Sequence, residues 1–523
     1  MRNRRFGSER PTARTIGCMS ALAMVLAACA DDDEEPDADD ASEPTGSVRF
    51  LSAESFWADW DPYQTNALSQ FRLNKQVYDM LLDFPTGDLS QPEPMLATSW
   101  TQIDETTWEF DLREDVTFHD GQGFTAEDAK ASIELASGAT GTEVVHAGAW
   151  VPTTVEIIDD YTVRLVTEAP YGPLFSSLFN TQIVSAEDLS GDPDALREQP
   201  NGTGPFRLVT DEPNRKVMEA NADYWAGPPG IAEMTWEFVQ DPQTRLNALL
   251  AGQADAIDRV PPQHLQTIED RDDLVLTSVT GIENVNLWVR PGRFELWDTN
   301  REFREAVAWS IDRRALADSL VLGETRAAES FLPNNTLYFQ PQEPDFTFDP
   351  ERAADLLGQA GVPDGGPEFE LWVASGFLPR AEEVVEAIRA GLEEAGLHPR
   401  VVATDISGMI DDIFSDNGTG AMYHISWASS GDPHAALGQT IGRGGPWGTD
   451  ETVYTLIEQG AAETDPAERE QIYAELQQHL WETIPHVPLY YSDFTIGHTE
   501  NLEGLRVLPN QFETYFYPAR IVE

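Results

Sequence analysis

At 523 residues the chain is too long for a single hydrophobic core, and at about 150 residues per domain it should hold two to four. Its 41% hydrophobic and 10% aromatic content is that of a globular protein and excludes disorder for the bulk of it. The formal charge of −58 argues against nucleic acid and against anionic lipid headgroups as partners, because both repel a surface of the same sign.

The first residues differ from the rest. Arg2, Arg4, Arg5, Arg10 and Arg14 form a basic region, and an apolar run follows from Ile16 to Ala28. That run is shorter than the roughly 20 residues a membrane span needs and suits the core of a secretory leader. It ends in Leu26-Ala27-Ala28-Cys29, which resembles a lipobox. Residues 1–28 are therefore expected to be a lipoprotein signal peptide, with Cys29 lipidated. Cys18 would leave with the leader, so the mature chain would carry one cysteine and no disulfide. Stable anchoring takes more than one acyl chain, which a diacylated Cys29 would supply.

Eight of the ten residues from Asp31 to Asp40 are acidic. Self-repulsion and the lack of apolar residues should keep 29–46 extended, as a tether between membrane and folded body. The leader holds five Arg and one Glu, so its removal would take the charge from −58 to −62. Lys75, Lys130 and Lys216 are the only lysines. An acid-rich, lysine-poor surface suits a salty or alkaline habitat, where counterions screen the repulsion.

Beyond Gly46 strand-like and helix-like segments alternate. Trp108, Phe110 and Leu112 alternate with polar residues and predict a strand. Val155 and Ile157, then Tyr161, Val163 and Leu165, predict a hairpin across Asp159-Asp160. Thr125 with Asp128 three residues on has the form of a capping box before Ala129, Ile133 and Ala136. Asp241-Pro242, Asp349-Pro350 and Asp465-Pro466 each offer an N-cap acceptor followed by proline at the first helical position. The last of these places Ile472, Tyr473, Leu476 and Leu480 on one face. A helix over 381–394 stops at Gly396 before a strand near 400–403. Helices recurring between strands predict a mixed α/β architecture.

The motifs of covalent and phosphate chemistry are missing: no Walker loop, no His-Glu-x-x-His, no paired CxxC, no Gly-x-Ser-x-Gly. His119-Asp120 precedes a glycine turn and reads as a turn-stabilising pair rather than a catalytic dyad. Gly202-Thr203-Gly204-Pro205 leads into a strand-like segment. It therefore lacks the helix N-terminus that a phosphate cradle needs. An enzyme is not expected, nor is a cofactor or a metal.

Several segments, in order, resemble the peptide/nickel-type extracellular solute-binding proteins, family 5. Val77-Tyr78-Asp79-Met80-Leu81-Leu82 is similar to the family's early helix, and Pro94–Trp100 to its P-x-L-A-x-S-W segment. Phe110–Gly121 with Phe124–Asp128 resembles its signature. Gly202–Phe206 and Asn221–Trp225 resemble GTGPY and N-x-x-Y-W. Ala248–Asp255 is similar to the A-L-x-x-G-x-x-D helix, and Phe303–Arg313 to R-x-A-x-x-x-A-I-D-R. The resemblance implies a two-lobe periplasmic-binding-protein-like fold of type II, in the large cluster with an extra subdomain in lobe I. It implies a receptor that closes on a peptide, or alternatively an oligosaccharide, and is then recognised by the permease subunits of an ABC importer. Such a receptor would be a monomer on the outer face of the membrane or in the periplasm, held by its lipid alone. Lobe I would combine 47–282 with 488–523 and carry a subdomain at about 72–199. Lobe II would span 283–487. The crossing strands would lie near 281–289 and 486–494.

The same resemblance suggests where a ligand sits. Ile425–Pro433 is similar to the lobe II loop G-W-x-x-D-x-x-D-P, whose first Asp pairs with the ligand's α-amino group in peptide-binding members. Here the loop is one residue shorter and Ser430 aligns with that Asp. Amine recognition would then need Asp432 to turn in and replace it; a serine hydroxyl suits a sugar or a neutral group better. The expected ligand residues are Trp427, Ser429, Ser430 and Asp432 on this loop, and Ser52, Phe56 and Trp57 after the first strand. Asn284 and Trp288 at the hinge, with Trp447 and Tyr490, complete the set; the aromatic rings offer wide apolar contact at low entropic cost.

Overall fold

The computed structural model describes residues 43–53, 60–64, 68–142, 144, 150–191, 193–321, 326–363, 366–428, 431–448, 450–508 and 514–522, with backbone alone at 68, 69, 193–195, 282, 427 and 428. The predicted leader, Cys29 and the tether as far as residue 42 lie outside the described residues, as do Phe56, Trp57, Ser429 and Ser430.

Local signals in the sequence become the expected elements. Asp241, Asp349 and Asp465 each accept backbone N–H bonds at the starts of helices Pro242–Leu250, Pro350–Gln359 and Pro466–Thr483. In the last, Tyr473, Leu476 and Leu480 are buried, while Ile472 is half-buried. The Asp128 carboxylate receives Thr125 N at 2.8 Å and closes the capping box of helix Ala126–Ala136. The hairpin forms as strands Thr153–Asp159 and Thr162–Thr167, and helix Ala381–Glu394 leads to strand Arg400–Thr404.

These elements build a mixed α/β fold of two lobes threaded by one 11-stranded sheet. In lobe I, strand Ser47–Ser52 lies parallel to Glu233–Phe238 on one side and to Ala256–Asp258 on the other. In lobe II, Glu370–Ala374 lies parallel to both Arg400–Thr404 and Met422–Ala428. Two long antiparallel strands, Leu274–Val289 and Val487–Thr499, run through both lobes and join the sets. Their register shifts between Thr280 and Glu283, an irregularity of the kind that bends a ladder.

The cores divide along the same line. One apolar cluster gathers residues from Val285 to Tyr490. Others gather Val48, Phe50, Trp236, Phe494 and Phe516, and Leu51, Leu246, Ile257 and Ile268. Leu489 and Tyr490, expected in lobe I, pack into the lobe II core; the returning strand enters the lobe I core only at Phe494. A separate cluster from Met80 to Ile183 fills the subdomain, around a four-stranded antiparallel sheet of Ala97–Asp104, Thr107–Leu112, Thr162–Thr167 and Thr153–Asp159.

A buried carboxylate ties three sequence motifs together. Asp79 accepts bonds from Thr203 Oγ1 at 3.0 Å, Tyr224 Oη at 3.0 Å and Trp225 Nε1 at 2.8 Å. Gly202 and Gly204 press on the backbone of Val77, where a Cβ would lie 1.9 and 2.6 Å from it. The Gly-Thr-Gly-Pro turn is thus a packing device. His119 Nε2 meets the Gly204 carbonyl at 2.9 Å, and Asp120 receives Asn201 Nδ2 at 3.1 Å, the turn-stabilising role predicted for the pair.

Candidate functional site

In open α/β sheets the space beyond the carboxyl ends of parallel strands is where ligands bind, because loops leave there and the backbone ends unpaired. Here two such ends face each other. The lobe I set ends at Ser52, Phe238 and Asp258, and Arg259 N donates to Thr495 O at 2.8 Å on the returning strand. The lobe II set ends at Ala374, Thr404 and Ala428, and Ala428 is opposite Glu283, itself opposite Ser492. Only residues 493 and 494 separate Ser492 from Thr495. The register alone therefore sets the two carboxyl ends across a short stretch of crossing strand.

The lobe I wall is organised by Asp258, which is fully buried. Its Oδ2 accepts from Ser52 Oγ at 2.9 Å and from Arg72 Nη1 at 3.1 Å. Its Oδ1 accepts from Ala53 N at 2.6 Å. Arg245 lies 4.0 Å from it and also donates to the carbonyls of Val239 and Gln240. Arg72 in turn covers the Phe494 ring at 4.9 Å. Ser52, expected to contact ligand, instead joins Asp258 in fixing the chain as it leaves the first strand. Arg259 adopts a left-handed backbone with φ +46°, a conformation costing about 1–3 kcal/mol for a residue with a Cβ and concentrated at functional positions.

At the crossing, Glu283 receives Ser426 Oγ at 2.5 Å and lies 3.9 Å from Arg259. Tyr490, from the same face, reaches His424 Nε2 at 3.4 Å. Burial pushes His424 down to about 4, so it is neutral here. Asn284 donates to Phe331 O at 2.7 Å, and its amide oxygen, buried with the residue at 5% exposure, has no hydrogen-bond partner among the described residues. Of the expected set, Asn284, Tyr490 and the backbone of Trp427 meet here, since Asn284 is opposite Trp427 in the ladder.

Three further expectations change. Asp432 does not turn toward the interlobe space. It caps helix Pro433–Leu437 through His434 N and holds Arg469 in a two-pronged pair at 2.8 and 3.0 Å, with both side chains buried. An approaching ammonium would have to displace a guanidinium. Trp288 and Trp447 stack on each other at 4.6 Å inside the lobe II core and close over His486. Both rings spend their surface on packing, the commonest fate of a large aromatic.

The sequence reading missed Asp258, Arg72, Arg259 and Glu283. A local signal existed: the A-L-x-x-G-x-x-D segment ends at Asp255, which receives Arg49 N at 2.7 Å, and the next acid is Asp258.

The family profile of the bacterial extracellular solute-binding proteins, family 5 (its middle region), matches residues 91–448. The chain belongs to this family. Among curated relatives, the glutathione-binding protein GsiB of Salmonella typhi is 25% identical over 472 residues, covering 86% of this chain and 90% of its own. The oligopeptide-binding protein AppA of Bacillus subtilis, solved with a nonapeptide, superposes with a TM-score of 0.79 at 19% identity over 92% of this chain and 100% of its own. The periplasmic binding protein DppA of Helicobacter pylori, solved with the peptide STSA, gives 0.78 at 20% identity over 91% and 98%. These likenesses show the two-lobe fold. As a family 5 member the chain is an extracellular solute-binding receptor of the ABC-importer type. Among the described residues no helix is long and apolar enough to cross a membrane.

Proposed function

We propose that this family 5 receptor captures short peptides between its lobes and hands them to the permease subunits of an ABC importer, while Cys29 anchors it by lipid outside the cell. The observation that carries the reading is the face-to-face arrangement of two parallel-strand carboxyl ends across a pair of crossing strands. Such a cleft buries most of a small ligand and exchanges its water for fixed polar groups when the lobes close. Its walls carry Arg259 and Glu283, charges of opposite sign that suit the carboxylate and ammonium of a peptide. Relatives named for or solved with peptides support the ligand class. With Asp432 committed to Arg469, the ligand's amine is taken by Glu283.

The test is retention. The chain from Ala30 onward is immobilised, exposed to a tryptic digest of casein and to a mixture of malto-oligosaccharides, washed, and eluted in denaturant. Peptides recovered by mass spectrometry are the expected result. Recovery of sugars alone would move the assignment to oligosaccharides, and recovery of neither would remove both.

A further inference from the structure

The crossing strands are not the only place where the lobes meet. On the other side of the interlobe space the subdomain of lobe I touches lobe II at two points, and each point is shaped for contact. At the first, Gly172 N donates to Ala461 O at 2.8 Å. A Cβ at Gly172 would lie 2.2 Å from the Glu463 carbonyl oxygen and 2.7 Å from Arg469 Nε, so only glycine lets the two backbones approach this closely. The neighbouring Tyr171 sets its ring at right angles to His434, 6.2 Å between centroids, and shares a 2.9 Å hydrogen bond with Ser177 of its own lobe.

At the second point, Leu337 of lobe II packs against the subdomain core rather than its own. Its N–H donates to Gly431 O at 3.0 Å. Gly431 has φ +82°, and a Cβ there would lie 1.9 Å from Leu89 Cδ1 of the subdomain. Both contact points are backed by the same buried pair. Asp432 follows Gly431 and clamps Arg469, which also donates to Gly460 O at 2.7 Å. Tyr338, next to Leu337, stacks on Tyr473 at 5.8 Å, and the Arg469 guanidinium sits 5.5 and 5.3 Å from their rings.

We infer that the Tyr171–Gly172 turn and Leu337 form a latch that holds the receptor closed independently of ligand. Hydrogen bonds and apolar burial between lobes exist only when the lobes are together, so they lower the free energy of the closed state alone. Asp432 and Arg469 do not recognise ligand in this arrangement; they stiffen the lobe II half of the latch. A ligand then needs to supply less of the closing free energy, and its apparent affinity rises with the closed fraction already present.

The experiment needs no known ligand. Cys18 and Cys29 are the only cysteines, so the chain from Ala30 onward accepts spin labels at Ile103→Cys in the subdomain and Phe414→Cys in lobe II, both on exposed side chains. Pulsed dipolar spectroscopy of the stripped, ligand-free protein should show a short-distance component. Gly172→Ala and, separately, Leu337→Ala should each reduce that component about ten-fold, with the far-ultraviolet dichroism of the unaltered chain. Leu337→Ala leaves every backbone contact possible and so stands in if Gly172→Ala fails to fold. A single long distance in the unaltered chain, or a short component that survives in a folded variant, would overturn the latch. Neither outcome bears on peptide binding, which the retention test decides separately.

Discussion

In lobe I two buried carboxylates each serve several partners at once. Asp258 holds two guanidiniums, a hydroxyl and a backbone N–H, while Asp79 collects three neutral donors and no cation. In lobe II the buried acid Asp432 is matched one to one by Arg469, and His424 and His486 are buried and neutral. The difference has a physical consequence. Burial raises Asp79 to about 6, because no positive charge offsets its loss of water. Burial pushes His486 down to about 3; its Nδ1 accepts from Val289 N at 3.1 Å and its Nε2 faces Trp447 O at 3.2 Å, which fixes a neutral tautomer. Acid therefore acts in opposite directions on Asp79 and on His486.

The largest break in this comparison is expected from Asp258→Ala. It removes the carboxylate that faces two buried guanidiniums and accepts from Ser52 and Ala53 N, and should cost about 5 kcal/mol, the upper end for breaking a buried ion pair. Denaturant unfolding measures it. Asp432→Ala strands one guanidinium that keeps Gly460 O, and should cost about 3 kcal/mol. Were Asp432 a ligand anchor instead, the loss would fall on peptide affinity with stability near normal.

The pH predictions are smaller and opposite in sign. A histidine whose folded pKa is depressed contributes stability that is lost as pH falls below its unfolded value near 6.5. Between pH 7 and pH 4.5 His486 should cost about 2.5 kcal/mol at 1.36 kcal/mol per unit, and His486→Gln should remove that share of the acid sensitivity. A carboxyl whose folded pKa is raised contributes stability at low pH that is lost as pH rises through the folded value. Asp79 should thus stabilise the fold by about 1.4 kcal/mol at pH 5 relative to pH 8, and Asp79→Asn should abolish that gain. Equal pH slopes for the unaltered chain and both variants would contradict the account of the two interiors.

What could be read from the sequence was local. Asp241, Asp349 and Asp465 announce their helices because an N-cap acts within three residues, and the hairpin at Asp159-Asp160 because strand alternation has a period of two. The ordered motifs also led to the family and the fold. The site was less legible because its contacts are distant in the chain. Asp258 is 186 residues from Arg72 and 206 from Ser52, and nothing near Asp432 in sequence reveals Arg469, 37 residues on. Trp288 and Trp447 carried no mark separating a core ring from a binding ring; each fills the other's cavity. Leu489 and Tyr490 join the apolar cluster that begins at Val285, a placement that their sequence does not mark because they look alike whichever core receives them.

Native mass spectrometry of the chain from Ala30 onward, purified from its own host without denaturation, tests peptide capture most directly. The account predicts a ladder of added masses that fragment as peptides, released together when the lobes are unfolded. An added mass spaced by hexose units, or a bare chain that also ignores added peptides, would contradict it.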